Sequence, residues 1–361
     1  MTSDKSKIYF WFFVILTSVT CFTSILLFKP VVAGDGFSYI EAIEVLRGGS
    51  IPSDFVPNRI TANFYGLELI IFLSKIFGSV ESAWILLNVT FFFIFVLVFY
   101  KLVRSIFGSD KTAFLAGLFL VTNYAVISFG LNYLMDIGGW MFYVVSLYLT
   151  LKYTEQGEKK LLLYSAVFIG FGGLFKEYAF LGVVPIAVVL IYENWPRLFS
   201  IVKKATIPAL IVIAPVIPIY LMVYEKFGYT YANWFSANSE HYVYSSRIIE
   251  YVKSLGSLYT FLAFLVIGGF YYYIRERKEI VEDKKIQVLI LSILLSVIPI
   301  FIWPAITQRI LFITVPATII IASFLFKKFE KYWWVFLLPL ILYIFINFNM
   351  NYILANFNLP F

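Results

Sequence analysis

The stretch "ANFYGLELIIFLSKIF", residues 62–77, is apolar, close to the length of a membrane crossing, and interrupted by Glu68 and Lys75. Whether it crosses decides on which side of the membrane every later segment lies. Ionisable side chains are costly inside a bilayer, so Glu68 and Lys75 favour a helix on the surface. The basic residues decide the matter through their bias toward cytoplasmic loops. If 62–77 stays out, the cytoplasmic segments hold 19 of the 28 basic residues, with at least three in every internal loop. If it crosses, the clusters around Lys101, Lys159, Lys203, Lys284 and Lys327 fall outside.

The reading that follows is an all-α polytopic membrane protein. About eleven transmembrane helices are expected, near 8–28, 82–100, 112–129, 137–151, 161–175, 179–193, 206–224, 257–274, 286–303, 309–326 and 332–350. The N-terminus is inside and the C-terminus outside. Two outer loops are long, 29–81 and 225–256, and the first carries surface helices over 37–47 and 62–77. No low-complexity tract or linker divides the chain, so 1–361 is expected to form one integral membrane domain.

Composition agrees. Of 361 residues, 61% are hydrophobic and only 14% charged, and the mean hydropathy is +0.88. A soluble domain carries about 25% charged residues. Segments of ten alternating residues, the mark of a membrane β-barrel, do not occur. Aromatics reach 20%, which suits interfacial belts. The net charge of +7 is split into short clusters between apolar spans. That is a topology signal and not a nucleic-acid footprint. Lys5 and Lys7 precede an apolar run to Phe28, longer than the core of a cleaved signal peptide, so an uncleaved first span is expected. The single cysteine, Cys21, excludes a disulfide within the chain, and the single histidine, His241, excludes a histidine-rich metal site. No metal site is assigned, and a divalent metal held by outer carboxylates stays open.

The first outer loop begins "VVAGDGFSYIEAIEVLRGG", residues 31–49. Phe37, Ile40, Ile43 and Leu46 recur every three residues and form an apolar stripe. Gly48-Gly49 ends the helix, and Pro52 and Pro57 bound an extended piece. Asp35 thus stands at a helix N-terminus, where the backbone dipole favours an acid. It is either a plain helix cap or a functional carboxylate. Tyr39, one turn later, is placed to orient it. Asp136, between "LNYLM" and "IGGW", carries the same two readings. The second long loop, "EKFGYTYANWFSANSEHYVYSSRIIEYVKS", gathers Tyr229, Tyr231, Trp234, His241, Tyr242, Tyr244 and Arg247. It suits sugar stacking or an interfacial belt. Asn88-Val89-Thr90 lies within a span and is a glycosylation sequon by letters only.

The order of these motifs resembles the C-type membrane glycosyltransferases that use polyprenyl-phosphate sugars, a group with protein O-mannosyltransferases and aminoarabinose transferases. The resemblance runs through "GDGFSYIEAIEVLRGG", Arg59, "FYGLELIIFLSKIFG" and "SAWILLNVTFFFIFVLVFYKLVRSIFG". It continues in "LNYLMDIGGW", in "GFGGLFKEYAFLGVVPIAVVLIY", and loosely in "QRILFITVPATIIIASFLF". It implies an inverting transferase that moves a sugar from a polyprenyl-phosphate carrier to a lipid, glycan or protein acceptor. The resemblance places this work at the outer face of a membrane, that of a prokaryotic cell. Asp35 matches the family's catalytic base. Many members have Asp-Glu here, whereas this chain has Asp35-Gly36. Arg59, Lys176 and Arg309 match positions able to hold the leaving phosphate, and as outer basic residues they also suit headgroup anchoring. Asp136 would position donor or acceptor. His241 and Arg247 would contact substrate, and they also fit a lipid-linked glycan polymerase or ligase. A transporter or flippase is the other alternative, with Pro208, Pro215 and Pro218 as possible breaks in a span.

Overall fold

The structure is a computed structural model that describes residues 2–240, 244–303 and 305–356. The described residues contain helices and turns but no β-strand. The first helices are α1 (Thr2–Phe28), α2 (Asp35–Leu46), α3 (Asn58–Phe77), α4 (Val80–Phe107), α5 (Asp110–Val121), α6 (Asp136–Gln156) and α7 (Lys159–Gly173). Then come α8 (Val183–Asn194), α9 (Leu198–Ile213), α10 (Val216–Phe227), α11 (Tyr231–Glu240) and α12 (Tyr244–Tyr259). The chain closes with α13 (Leu262–Ile280), α14 (Lys284–Ser296), α15 (Gln308–Leu311), α16 (Thr314–Lys328), α17 (Leu337–Phe348) and α18 (Met350–Asn356).

Six helical segments are long and apolar enough to cross a membrane, and eight if two bent pairs each count as one span. Seven of the eleven expected spans coincide with these: five straight segments and the two bent pairs, α9 with α10 (41°) and α12 with α13 (85°). The sixth straight segment is α3 itself, which on length and apolarity alone qualifies as a crossing. The remaining expected spans fall on α5, α6, α7 and α16, which are shorter or more polar. Physical causes for the shortening are visible. After α5, Asn123 turns its amide away to Leu258 O (2.8 Å) and the Tyr343 hydroxyl (2.5 Å). At the end of α7, Gly172 and Gly173 let Phe142 and Phe180 pack where a Cβ would sit.

The contacts divide the chain into two compact units. One comprises Met1–Phe28, Val96–Ser128 and Val243–Phe361. In it Phe13 stacks on Tyr100 at 5.0 Å and lies over Gly117, where a Cβ would stand 2.5 Å from its ring. Gly269 of α13 similarly lies against the backbone of α16, its missing Cβ only 2.2 Å from Ile321 O. Asn347 accepts from the Tyr124 amide at 2.9 Å, so buried polar groups at helix breaks satisfy one another.

The other unit comprises Lys29–Phe95 and Phe129–Tyr242. Here α2 packs on α3, α6 on α7, and α10 and α11 on α3. Helix α2 starts two residues earlier than expected, and its buried face differs from the expected stripe. Tyr39, Ala42, Ile43 and Val45 are buried, while Phe37 is 57% exposed. The reason is Tyr39, whose ring packs edge-on against Trp84 of α4 at 5.6 Å and turns that side of α2 inward. Helix α3 begins at Asn58, four residues before the expected 62, and is kinked at Asn63. Arg47, just past α2, donates to Ser74 of α3 and ties the two helices together.

Candidate active site

Asp35 is the first helical residue of α2, and the capping position is taken by Gly34, with φ +51°. The plain-cap reading of Asp35 therefore fails: its Oδ1 receives Arg59 Nη2 at 2.6 Å. This ion pair joins the N-terminus of α2 to that of α3. The Arg59 guanidinium lies over the Tyr39 ring, 4.7 Å from its centre. Tyr39 thus steadies Arg59, not Asp35 as its sequence spacing suggested, and its buried hydroxyl has no hydrogen-bond partner among the described residues. The Asp35 side chain is 28% exposed, so its carboxylate is reachable from solvent.

Gly36 explains itself sterically. A Cβ there would stand 3.3 Å from Val32 and 3.4 Å from Tyr133 O. The second acid of an Asp-Glu pair would have to leave past that carbonyl.

The segment before Asp136 is not helical and needs outside partners for its backbone. Asn88 of α4 donates to Asn132 O (2.5 Å) and Leu134 O (3.1 Å), and Trp84 Nε1 donates to Leu134 O at 3.2 Å. Asn132 in turn accepts from the amides of Val31 (3.1 Å) and Tyr133 (2.8 Å). Asn88 is therefore a buried clamp, consistent with the sequon being one in letters only. The clamp sets Asp136 at the start of α6, fully buried, with the Tyr178 hydroxyl donating to its Oδ1 at 3.0 Å.

Lys176 follows the glycine-terminated end of α7. Asn63, at the kink of α3, donates to Phe175 O at 2.5 Å, and the Tyr65 amide reaches Leu174 O at 3.2 Å. The kink thus fixes the strand-like link that carries Lys176. The lysine is only 4% exposed, and its ammonium stands 3.5 Å from Glu177 Oε1 and 5.5 Å from the Tyr178 ring centre. Burial works against its charge, but the attraction of Glu177, the Tyr39 oxygen and Asp136 together outweighs burial and the repulsion of Arg59. Its pKa is raised above that of an ordinary lysine. The stem passes beside Gly139 of α6, where a Cβ would lie 2.5 Å from Lys176 Cβ. Gly139→Ala should therefore displace Lys176 without altering any charge. We expect it to destabilise the protein by about 1–3 kcal/mol through overpacking. An unchanged melting temperature would rule this out.

Asp35, Tyr39, Arg59, Asp136 and Lys176 thus converge within one unit. Arg309, in α15, and Arg247, in α12, belong to the other unit, where Arg247 donates to Trp303 O at 3.0 Å. His241 lies outside the described residues. Among the described residues no group of three or more His, Cys, Asp or Glu is placed to hold a metal ion. Nothing in the sequence alone singles out Tyr178 or Gly139, and Asn63 only faintly. The one available signal was an asparagine inside an apolar run, which in a membrane protein calls for a buried partner.

Residues 66–221, somewhat under half of the chain, match the family described as dolichyl-phosphate-mannose-protein mannosyltransferase. The match takes in Asp136, Lys176 and Glu177 and begins after Asp35 and Arg59. Comparison with curated proteins gives no match. Among solved structures, the chain is similar to ArnT from Cupriavidus metallidurans bound to undecaprenyl phosphate, with a TM-score of 0.64 and 14% identity over 87% of this chain. The apo form of that protein gives the same score and identity over 89% of this chain. The chain spans 59% and 60% of the two ArnT chains. At this identity the likeness is one of fold: the chain has an ArnT-like fold.

Proposed function

We propose that this protein is an inverting glycosyltransferase of a membrane, taking a sugar from a polyprenyl-phosphate carrier at the outer face. The observation that carries the proposal is the pairing of a solvent-reachable acid, Asp35, with Arg59, beside the buried ammonium of Lys176. Transfer from a phosphate carrier needs a base for the acceptor and fixed positive charge for the leaving group. Here the two stand together on rigid elements. The family match and the undecaprenyl phosphate bound to ArnT support the choice of carrier class.

In this reading Arg59 and Lys176 hold the phosphate. Asp35 takes the proton from the acceptor nucleophile as that atom bonds to the anomeric carbon from the face opposite the phosphate. The bond from that carbon to the phosphate oxygen breaks, and the electron pair leaves with the phosphate. Its charge is received by groups that need no reorganisation. Asp136, locked by Tyr178, keeps Lys176 charged and in place. Arg309 as a further phosphate contact, and Arg247 and His241 as substrate contacts, are carried from sequence resemblance. The outer-face assignment rests on the distribution of basic residues, and the prokaryotic plasma membrane on resemblance.

The test is transfer by the purified chain in liposomes supplied with polyprenyl-phosphate sugars. Transfer that depends on the sugar-lipid is expected. Growth of a lipid-linked glycan without that donor would point to a polymerase or ligase, and solute flux without transfer to a transporter.

A further inference from the structure

Glu177 opens the 3₁₀ turn Glu177–Gly182 immediately after Lys176. One carboxylate oxygen faces Lys176. The other, Oε2, is buried and accepts no hydrogen bond among the described residues. The buried hydroxyls of Tyr39 and Tyr229 are in the same condition. Unsatisfied buried polar atoms are rare in folded proteins, and each one calls for an explanation. Three in one neighbourhood point to a ligand that satisfies them.

The surroundings define its chemistry. Helix α10 ends at Gly228 in the left-handed conformation (φ +61°), and the chain turns back into α11. Asn233 Oδ1 receives the Thr230 amide at 2.8 Å and fixes that turn. Helices α10 and α11 both pack on α3. As a result Tyr220 and Tyr231 lie within electrostatic reach of Glu177, Tyr231 also of Arg59 and Tyr39, and Tyr229 of Arg59. A carboxylate only accepts hydrogen bonds and repels phosphate. Tyrosine rings offer apolar faces with a polar tip. Together they suit a ring with C–H faces and adjacent hydroxyl groups. Lys176 already faces one oxygen of Glu177, so a ligand at the other oxygen has to donate hydrogen bonds. The Lys176 ammonium and Glu177 are neighbours, 3.5 Å apart, so a phosphate held by the lysine would bring its attached sugar beside the carboxylate.

We infer that Glu177, with Tyr220, Tyr229 and Tyr231, forms the subsite for the sugar ring of the donor, Glu177 accepting hydrogen bonds from neighbouring ring hydroxyls. The inference rests on the donor reading proposed above and gives that donor its recognition element.

The experiment measures binding to the full chain in nanodiscs. The probes are polyprenyl phosphate and the mannosyl, glucosyl and galactosyl forms of the same carrier. The wild type is expected to bind at least one sugar form more tightly than the bare carrier. Glu177→Gln should reduce that advantage about 10- to 100-fold, the worth of hydrogen bonds to a charged group. Tyr229→Phe, which removes only the buried hydroxyl, should reduce it less. Binding of the bare carrier, which Glu177 affects only through its ion pair with Lys176, should fall less than binding of the sugar forms. Variants that keep the full advantage, or lose both ligands equally, overturn the subsite, and so does a wild type that binds bare and sugar-bearing carriers alike. A wild type that binds neither overturns the donor reading itself.

Discussion

Replacing Asp35 by Asn is expected to slow sugar transfer about 10²- to 10⁴-fold, the usual contribution of a positioned general base. Asn is nearly isosteric and still offers an oxygen to Arg59, so the 2.6 Å contact between α2 and α3 has an acceptor. The fold and the binding of carrier phosphate should survive, because Lys176 is held by other elements. What the variant loses is the ability to take a proton. The result should therefore appear in kcat with little change in donor KM, which is the pattern of an interaction made only in the transition state. Undiminished turnover by well-folded Asp35→Asn would remove Asp35 as the base. A loss confined to KM would make it a binding residue instead.

Lys176→Met should have the largest effect on both stability and donor use. Met keeps most of the stem's volume beside Gly139 but removes the charge. Glu177 then loses its cation, and the fully buried Asp136 loses the attraction of that charge. Removing one partner of a buried pair costs about 3–5 kcal/mol, because the remaining charge stays desolvated. The site also loses one of the two cations proposed for the phosphate. We expect a clear drop in melting temperature and a large rise in donor KM. Arg59 is the informative contrast. Its partner Asp35 is 28% exposed and can be solvated by water, so Arg59→Ala should cost less stability for the same formal charge. Equal destabilisation by the two substitutions would contradict the difference in burial between the two pairs.

The site illustrates why sequence reading reached its members but not all of their roles. Asp35, Arg59, Asp136 and Lys176 were each legible as polar residues at the ends of apolar runs, a rare position in a chain only 14% charged. Their grouping into one unit was expected only by resemblance. The Tyr39 assignment shows the difference between spacing and contact. Spacing puts Tyr39 one turn after Asp35 on α2, yet the ring serves Arg59, which arrives from α3. No periodicity within α2 carries that information.

What the sequence by itself determined is a helical, membrane-type chain, the existence of α2 and α3 in the first loop, and the polar residues available for chemistry. Hydrophobic runs and glycine stops are local signals, and they act over a single helix. Tertiary structure alone decided that Gly34 takes the capping position, so that Asp35 meets Arg59. It alone decided that a kink at Asn63 sews α3 to the link bearing Lys176, and that Gly139 gives the lysine its passage. It also decided that the carboxylate at 177 keeps one buried oxygen without a hydrogen bond among the described residues. Each of these is a pairing between residues tens of positions apart. Such pairings are selected by the need to satisfy buried polar groups across packed helices, which no single segment encodes.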